Sequence, residues 1–67
     1  MPMSGSEMLR LYEQQGWVAI RQKGSHVIVA KGNLRQTIPL HRELKKGLER
    51  VLLKALKAKG ESHEIPL

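Results

Sequence analysis

The residues best suited to chemistry stand together in the tetrapeptide Lys23-Gly24-Ser25-His26. Gly24 lets the backbone approach a phosphate closely, and Ser25 offers a hydroxyl and a backbone N–H. Lys23, with Arg21 two residues before it, can hold a phosphate and stabilise negative charge that develops on it. Two interpretations follow. His26 is either a turn residue that contacts nucleic acid or the acid/base of a small ribonuclease.

A histidine can drive RNA cleavage without a metal, because RNA carries its own nucleophile, the 2′-hydroxyl. The ordinary pKa of histidine, about 6.5, suits removal of that proton or protonation of the leaving 5′-oxygen near cellular pH. Attack by the 2′-hydroxyl predicts products that end in a cyclic phosphate or a 3′-phosphate.

The other two histidines, His41 and His63, do not complete a metal site. The three are too dispersed for the paired spacing of zinc ligands, and the chain contains no cysteine. His41 can serve as a second acid/base or an RNA ligand, but its position before the last predicted helix favours a connector role. We therefore expect no metal and no other cofactor.

The charge of the chain points to a polyanionic partner. Twelve Lys and Arg residues against six Asp and Glu residues give the 67-residue chain a net charge of +6. RNA or DNA is the expected polyanion, although a solvated basic surface, or one that docks an acidic protein, has the same composition. No apolar run is long enough to span a bilayer, and the N-terminus lacks the layout of a secretory signal. We expect a cytoplasmic protein with no membrane partner.

The residues before and after the tetrapeptide predict one helix and three strands. A capping-box pattern at Ser4 and Glu7, with Gly16 as a stop signal, predicts a first helix over Ser6–Gln15. Its predicted apolar face comprises Met8, Leu11, Tyr12 and Gln15, with Leu9 at the edge. Short β-branched runs broken by glycine-containing turns predict three strands. These strands are Trp17–Gln22, His26–Ala30 and Leu34–Leu40, with turns at Gly24-Ser25 and Lys31-Gly32-Asn33.

A second helix is predicted after the connector His41–Gly47 and ends at Gly60. Its apolar stripe comprises Leu48, Val51, Leu52, Ala55 and Leu56, opposite a basic stripe of Arg50, Lys54 and Lys57. The order α-β-β-β-α predicts an α+β fold, a three-stranded antiparallel sheet with both helices on one face. We expect one domain over residues 1–60 and a loose tail over residues 61–67.

This element order is that of double-stranded RNA-binding domains. Those domains read A-form RNA by shape, through the first helix, a turn between strands and a basic patch at the start of the last helix. Here the turn is Lys23–His26, and the last helix is entered through Lys45 and Lys46. We therefore expect RNA contacts from Arg21, Lys23, Gly24, Ser25, Lys45 and Lys46.

Four motifs follow one another along the chain: Gly16-Trp17, Arg21, Lys23-Gly24-Ser25-His26 and Pro39-x-His41-x-x-Leu44-x-x-Gly47. The combination resembles the HicA family of bacterial mRNA interferase toxins, over roughly residues 4–60. Two residues depart from the family pattern. Leu48 stands where members often have Thr, which bears on helix capping. Val27 stands where a further polar or aromatic residue often follows the histidine, which bears on base contacts.

The resemblance implies a fold of the double-stranded RNA-binding type and cleavage of mRNA with His26 as the catalytic residue. It also implies a HicB-like antitoxin that neutralises the toxin by covering this surface. Two alternatives stay open from the residues themselves. One is a non-catalytic double-stranded RNA-binding module of the same fold, and the other is a basic protein-interaction domain.

Overall fold

The computed structural model describes the backbone of residues 2–61 and the side chains of residues 2–57. Its elements are α1 (Gly5–Gln14), β1 (Val18–Lys23), β2 (His26–Lys31), β3 (Leu34–Pro39) and α2 (Lys46–Glu61). The order α-β-β-β-α and the antiparallel sheet, with neighbours β1-β2-β3, confirm the predicted fold. The helix α2 continues past Gly60, its predicted end, and the predicted tail beyond Glu61 lies outside the described residues.

The helix α1 begins at the predicted capping box. Ser4 Oγ accepts a hydrogen bond from the Glu7 N–H at 3.1 Å, and Glu7 Oε1 accepts one from the Ser4 N–H at 2.9 Å. The predicted apolar face is only partly right, because Leu11 is half-buried and Gln15 is exposed. The buried face comprises Gly5, Met8 and Tyr12, with Leu9 packed against the core.

Two tight turns set the register of the sheet. Gly24-Ser25 joins β1 to β2, and Gly32-Asn33 joins β2 to β3. In each turn the glycine has a positive φ, +61° at Gly24 and +60° at Gly32, whereas the second residue does not. A glycine in the first central position with this pattern is typical of type II′ turns, whose twist matches that of the flanking strands. Lys31, predicted in a turn, is the last residue of β2.

The hydrophobic core lies between the sheet and the two helices. Its buried members are Met8, Tyr12, Trp17, Val27, Val29, Ile38, Leu44 and Leu52. Tyr12 links the two helices, because its hydroxyl donates a hydrogen bond to the carbonyl oxygen of Leu52 at 2.8 Å. The Tyr12 and Trp17 rings meet edge to face, with centroids 5.0 Å apart.

The helix α2 packs on the core with a face that differs from the predicted stripe. Leu52 is buried, and Leu53 and Leu56 pack against the core. Leu48 and Val51 are 36% and 58% exposed, so the prediction that they belong to the buried stripe is wrong. Within residues 2–61, no helix has the length and hydropathy needed to cross a bilayer.

Candidate functional site

His26 lies on the face of the sheet that the helices leave open. It is the exposed first residue of β2 and stands directly opposite Lys23 of β1. Opposed residues of an antiparallel pair share a face, and so do alternate residues along one strand. Arg21, two residues before Lys23, therefore lies on the same face as His26. The structure thus brings together three of the predicted site residues.

The turn between β1 and β2 is open above its glycine. A Cβ built on Gly24 would meet no heavy atom within 4 Å, so the backbone there is accessible to a ligand. Ser25 is exposed, and its carbonyl oxygen accepts a hydrogen bond from the Leu40 N–H at 2.6 Å. This bond ties the turn to the connector that follows β3. The turn is therefore fixed to the connector by its backbone, while Gly24 and Ser25 remain exposed to solvent.

His41 lies beside His26. The centroids of the two imidazole rings are 6.1 Å apart, and the ring planes are inclined at 75°. The sequence favoured a connector role for His41, and it does lie in the connector between β3 and α2. Strand register explains the proximity, because Pro39 stands opposite His26 in the β2–β3 pair, two residues before His41. Counting back from a two-residue turn at Gly32-Asn33 yields this register from the sequence alone.

Gly5 holds the connector against α1. The Gly5 N–H donates a hydrogen bond to the carbonyl oxygen of His41 at 2.8 Å. A Cβ built on Gly5 would overlap the Pro39 carbonyl oxygen and the Leu40 Cα, so any larger residue would push α1 away from the end of β3. The sequence does not predict this role of Gly5. The local residues indicate only the capping box, and the close approach is to a segment distant in the chain.

Lys45 and Lys46 are exposed at the start of α2. Next to them, the N–H of buried Leu44 donates to the Met3 carbonyl oxygen at 2.8 Å, and the Met3 N–H donates to Glu49 Oε1 at 3.0 Å. These hydrogen bonds run to the N-terminal segment rather than to the Lys23–His26 turn. The two lysines therefore form a second basic position, which no hydrogen bond of the described residues joins to the first.

No cluster of potential metal ligands accompanies these residues. Within the described part of the chain, no three His, Asp or Glu side chains stand close enough to hold an ion. The groups available at the site are thus two imidazoles, the cations Lys23 and Arg21, and the exposed backbone of the turn. This set can bind a phosphodiester and move protons at its oxygen atoms.

Comparisons with known proteins support the observed fold, and the matched residues cover the candidate site. Residues 5–58 match the family model of the HicA toxin of bacterial toxin–antitoxin systems. A chain from a toxin–antitoxin complex of Streptococcus pneumoniae is 41% identical to this chain, with a TM-score of 0.70. That alignment covers 84% of this chain and 98% of the other. No curated protein sequence matches. The matched residues span all the predicted site residues, from Arg21 to Lys46.

Proposed function

The chain belongs to the HicA toxin family, and we propose that it acts in the cytoplasm as an endoribonuclease that cleaves mRNA with His26 as an acid/base. The observation that carries the proposal is the position of His26. The side chain is exposed at a turn open to a ligand, opposite Lys23 and on the same face as Arg21. A phosphate bound by those cations would lie within reach of the imidazole.

The proposed reaction is an internal transfer at phosphorus. The 2′-oxygen of the RNA attacks the adjacent phosphorus and gives its proton to a base. The bond from phosphorus to the 5′-oxygen breaks, and that oxygen takes a proton from an acid. The products are a 2′,3′-cyclic phosphate and a 5′-hydroxyl. Lys23 and Arg21 stabilise the negative charge that grows on the phosphate oxygens in the transition state.

Binding of RNA rests on the charge of the chain and on its two basic positions. Arg21, Lys23 and the backbone of Gly24 and Ser25 contact the backbone of the RNA near the cleaved bond. Lys45 and Lys46 contact it at the start of α2, in the manner of double-stranded RNA-binding domains. With a net charge of +6, this binding depends strongly on salt.

The partner that we propose is a HicB-like antitoxin. The chain from Streptococcus pneumoniae was solved in a toxin–antitoxin complex, and a chain with 41% identity to it is suited to the same kind of assembly. A basic surface of this density favours an acidic partner, since opposite charges speed association. An antitoxin that covers Lys23–His26 would inhibit the enzyme by blocking access to the phosphate.

The proposal is tested with purified wild-type protein, His26→Ala and His63→Ala on end-labelled mRNA. We expect wild type and His63→Ala to cleave and His26→Ala to bind without cleaving, with unchanged thermal unfolding. We expect EDTA to leave the rate intact, because the 2′-hydroxyl and a histidine suffice for the reaction. Folded His26→Ala that cleaves at the wild-type rate would refute the role of His26.

Other outcomes of the same experiment favour the alternatives. Wild-type protein that binds RNA without cleaving it would indicate a non-catalytic RNA-binding module. Protein that binds no RNA and associates only with an acidic protein would indicate an interaction domain. Activity that EDTA abolishes and a divalent metal restores would contradict the proposed proton-transfer mechanism.

A further inference from the structure

The pair of exposed imidazoles at the end of the sheet points to a second catalytic group. We propose that His41 acts together with His26, one as general base and the other as general acid, in the cleavage of RNA. The inference rests on the proposed function, because the pair can act only if the chain is a ribonuclease. Its basis is the ring separation of 6.1 Å between residues that belong to different segments.

The separation suits a shared substrate. A proton-transfer group must lie within hydrogen-bond reach of its proton, about 2.6–3.2 Å between heavy atoms. The ring centroids are 6.1 Å apart, so a phosphodiester bound across the pair can reach both imidazoles. The ring planes are inclined at 75°, so the two rings are not stacked on each other. A phosphodiester bound over the exposed side of this edge-to-face pair would have both imidazoles beside its ester oxygens.

The reaction needs two proton transfers on opposite sides of phosphorus. The neutral imidazole takes the proton from the 2′-hydroxyl as the 2′-oxygen bonds to phosphorus. The protonated imidazole gives its proton to the 5′-oxygen as that bond breaks. At the end of the step the two histidines have exchanged protonation states, and no other reactant is consumed. Two histidines therefore supply both transfers in one step, whereas a single one would have to carry the proton from the 2′-hydroxyl to the 5′-oxygen.

The hydrogen bonds at His41 use the backbone and give no reason for a histidine side chain at this position. Its carbonyl oxygen accepts the hydrogen bond from Gly5, and the neighbouring Leu40 N–H bonds to Ser25. Both bonds use the backbone and would form with almost any residue at position 41. The His41 side chain is exposed and is not a member of the hydrophobic core. A connector with only a structural role has no need of an imidazole there.

Charged side chains near the pair can attract a phosphate. Lys23 faces His26 from β1, with Arg21 on the same face. Arg42 and Glu43 follow His41 in the chain. Pro39 of β3, which stands opposite His26, and Gly5 of α1, which donates to the His41 carbonyl oxygen, carry no charge. Among all these side chains, histidine alone has an ordinary pKa near 7.

The first test is the pH dependence of cleavage for wild type, His41→Ala and the control His63→Ala. We expect a bell-shaped profile of kcat for wild type and the control, because an acid and a base must both be in the correct state. We expect His41→Ala to lose one limb of the bell and about 10²–10⁴-fold in kcat, with little change in KM. Its thermal unfolding should match wild type, since the backbone bonds persist.

The second test replaces the leaving oxygen. Once the cleavage site is mapped with wild type, an oligonucleotide with a bridging 5′-sulfur at that site is compared with the normal one. A thiolate leaves without protonation, so removal of the general acid should no longer matter. We expect the sulfur substrate to restore the rate of one variant, His41→Ala or His26→Ala, and not of the other.

The outcomes separate this inference from the proposed function. If wild type cleaves and His26→Ala does not, while His41→Ala keeps the wild-type kcat and both limbs, the pair is refuted and the ribonuclease stands. A His41→Ala variant with raised KM and unchanged kcat also refutes it, because His41 would then only bind RNA. Failure of the sulfur substrate to rescue either variant does the same. Absence of cleavage by wild type overturns both proposals.

Discussion

At the scale of single residues, exposure separates the side chains that hold the fold from those proposed to act on RNA. Met8, Tyr12, Val29 and Ile38 are fully buried. His26 is exposed on the open sheet face, and His41 is exposed beside it. Substitution of either histidine should therefore change activity with little effect on folding, whereas substitution in the core should do the reverse.

Tyr12 provides a residue-scale prediction about stability. We expect Tyr12→Phe to lose about 0.5–1.5 kcal/mol of unfolding free energy in urea titrations, because the buried hydrogen bond from Tyr12 to the Leu52 carbonyl is removed. Leu9→Met, a substitution at the edge of the same core that conserves volume, is the control and should cost less than about 1.5 kcal/mol. A Tyr12→Phe variant as stable as wild type would show that the bond contributes nothing.

The same side chain predicts a dependence on alkaline pH. Burial raises the pKa of the Tyr12 hydroxyl, and a hydrogen bond with Gln36 offsets part of that effect. The stability it contributes is complete below the unfolded pKa of about 10 and is lost as the pH rises through the folded value. Unfolding free energies measured from pH 8 upwards should therefore fall more steeply for wild type than for Tyr12→Phe. Parallel curves would contradict this assignment.

At the scale of elements, the type II′ turn that carries the site predicts a paired glycine experiment. Gly24→Ala should destabilise the protein by about 1–2 kcal/mol, since φ of +61° is unfavourable for an L-residue. Gly32→Ala is the matched control, with φ of +60° in the other turn. We expect similar losses in thermal unfolding for both.

Only the turn at the site should also affect RNA cleavage. Under conditions where both variants are folded, Gly24→Ala should lower kcat/KM and Gly32→Ala should not, because only the first turn joins the His26 strand to Lys23. Equal losses of activity would indicate that both substitutions act through stability alone.

The docking of α1 on β3 predicts opposite effects for two helical glycines. Gly5→Ala should destabilise the fold by about 1–3 kcal/mol, because its Cβ would overlap the backbone at Pro39 and Leu40. Gly47→Ala, in the first turn of α2, meets no heavy atom within 4 Å and should stabilise the protein by about 0.5–1 kcal/mol. Urea titrations measure both, and a neutral Gly5→Ala would contradict the close approach.

At the scale of the whole molecule, charge predicts how RNA binding responds to salt. Replacing Lys45 and Lys46 with Gln should weaken binding and reduce the slope of log affinity against log salt by about 0.7–0.9 for each phosphate that the variant no longer neutralises. The double variant Lys54→Gln, Lys57→Gln removes the same charge from the exposed side of α2 and is the control. Equal effects of the two double variants would show that net charge, not the start of α2, determines binding.

The small size of the chain predicts that binding of a partner stabilises the whole folded molecule. A 67-residue chain buries a modest core, and an antitoxin that binds only the folded state stabilises it by mass action. Hydrogen exchange with and without the antitoxin should show added protection at Lys23–His26. The Gly32-Asn33 turn, at the opposite end of the sheet, reports general stabilisation and is the internal control. Equal changes at both turns would exclude inhibition by occlusion.

Features that depend on neighbours along the chain can be predicted from the amino-acid sequence. The capping box at Ser4 and Glu7, the glycine turns and the order of the five elements each follow from residues a few positions apart. The placement of His26 at the end of a turn, with Lys23 across from it, follows in the same way. Local propensity and turn chemistry decide such features before any distant segments meet.

Contacts between distant segments depend on how the whole molecule packs. The packing places Gly5 and Leu9 of α1, and Leu53 of α2, on the core side of their helices. The packing also joins Tyr12 to the Leu52 carbonyl, and it sets the distance between the His41 and His26 rings, whose segments the strand register already brings together. An amphipathic pattern indicates that a helix has a buried side, but the neighbour that it packs against selects the residues on that side. The meeting of distant segments depends on the packing of the whole core, which the local pattern does not contain.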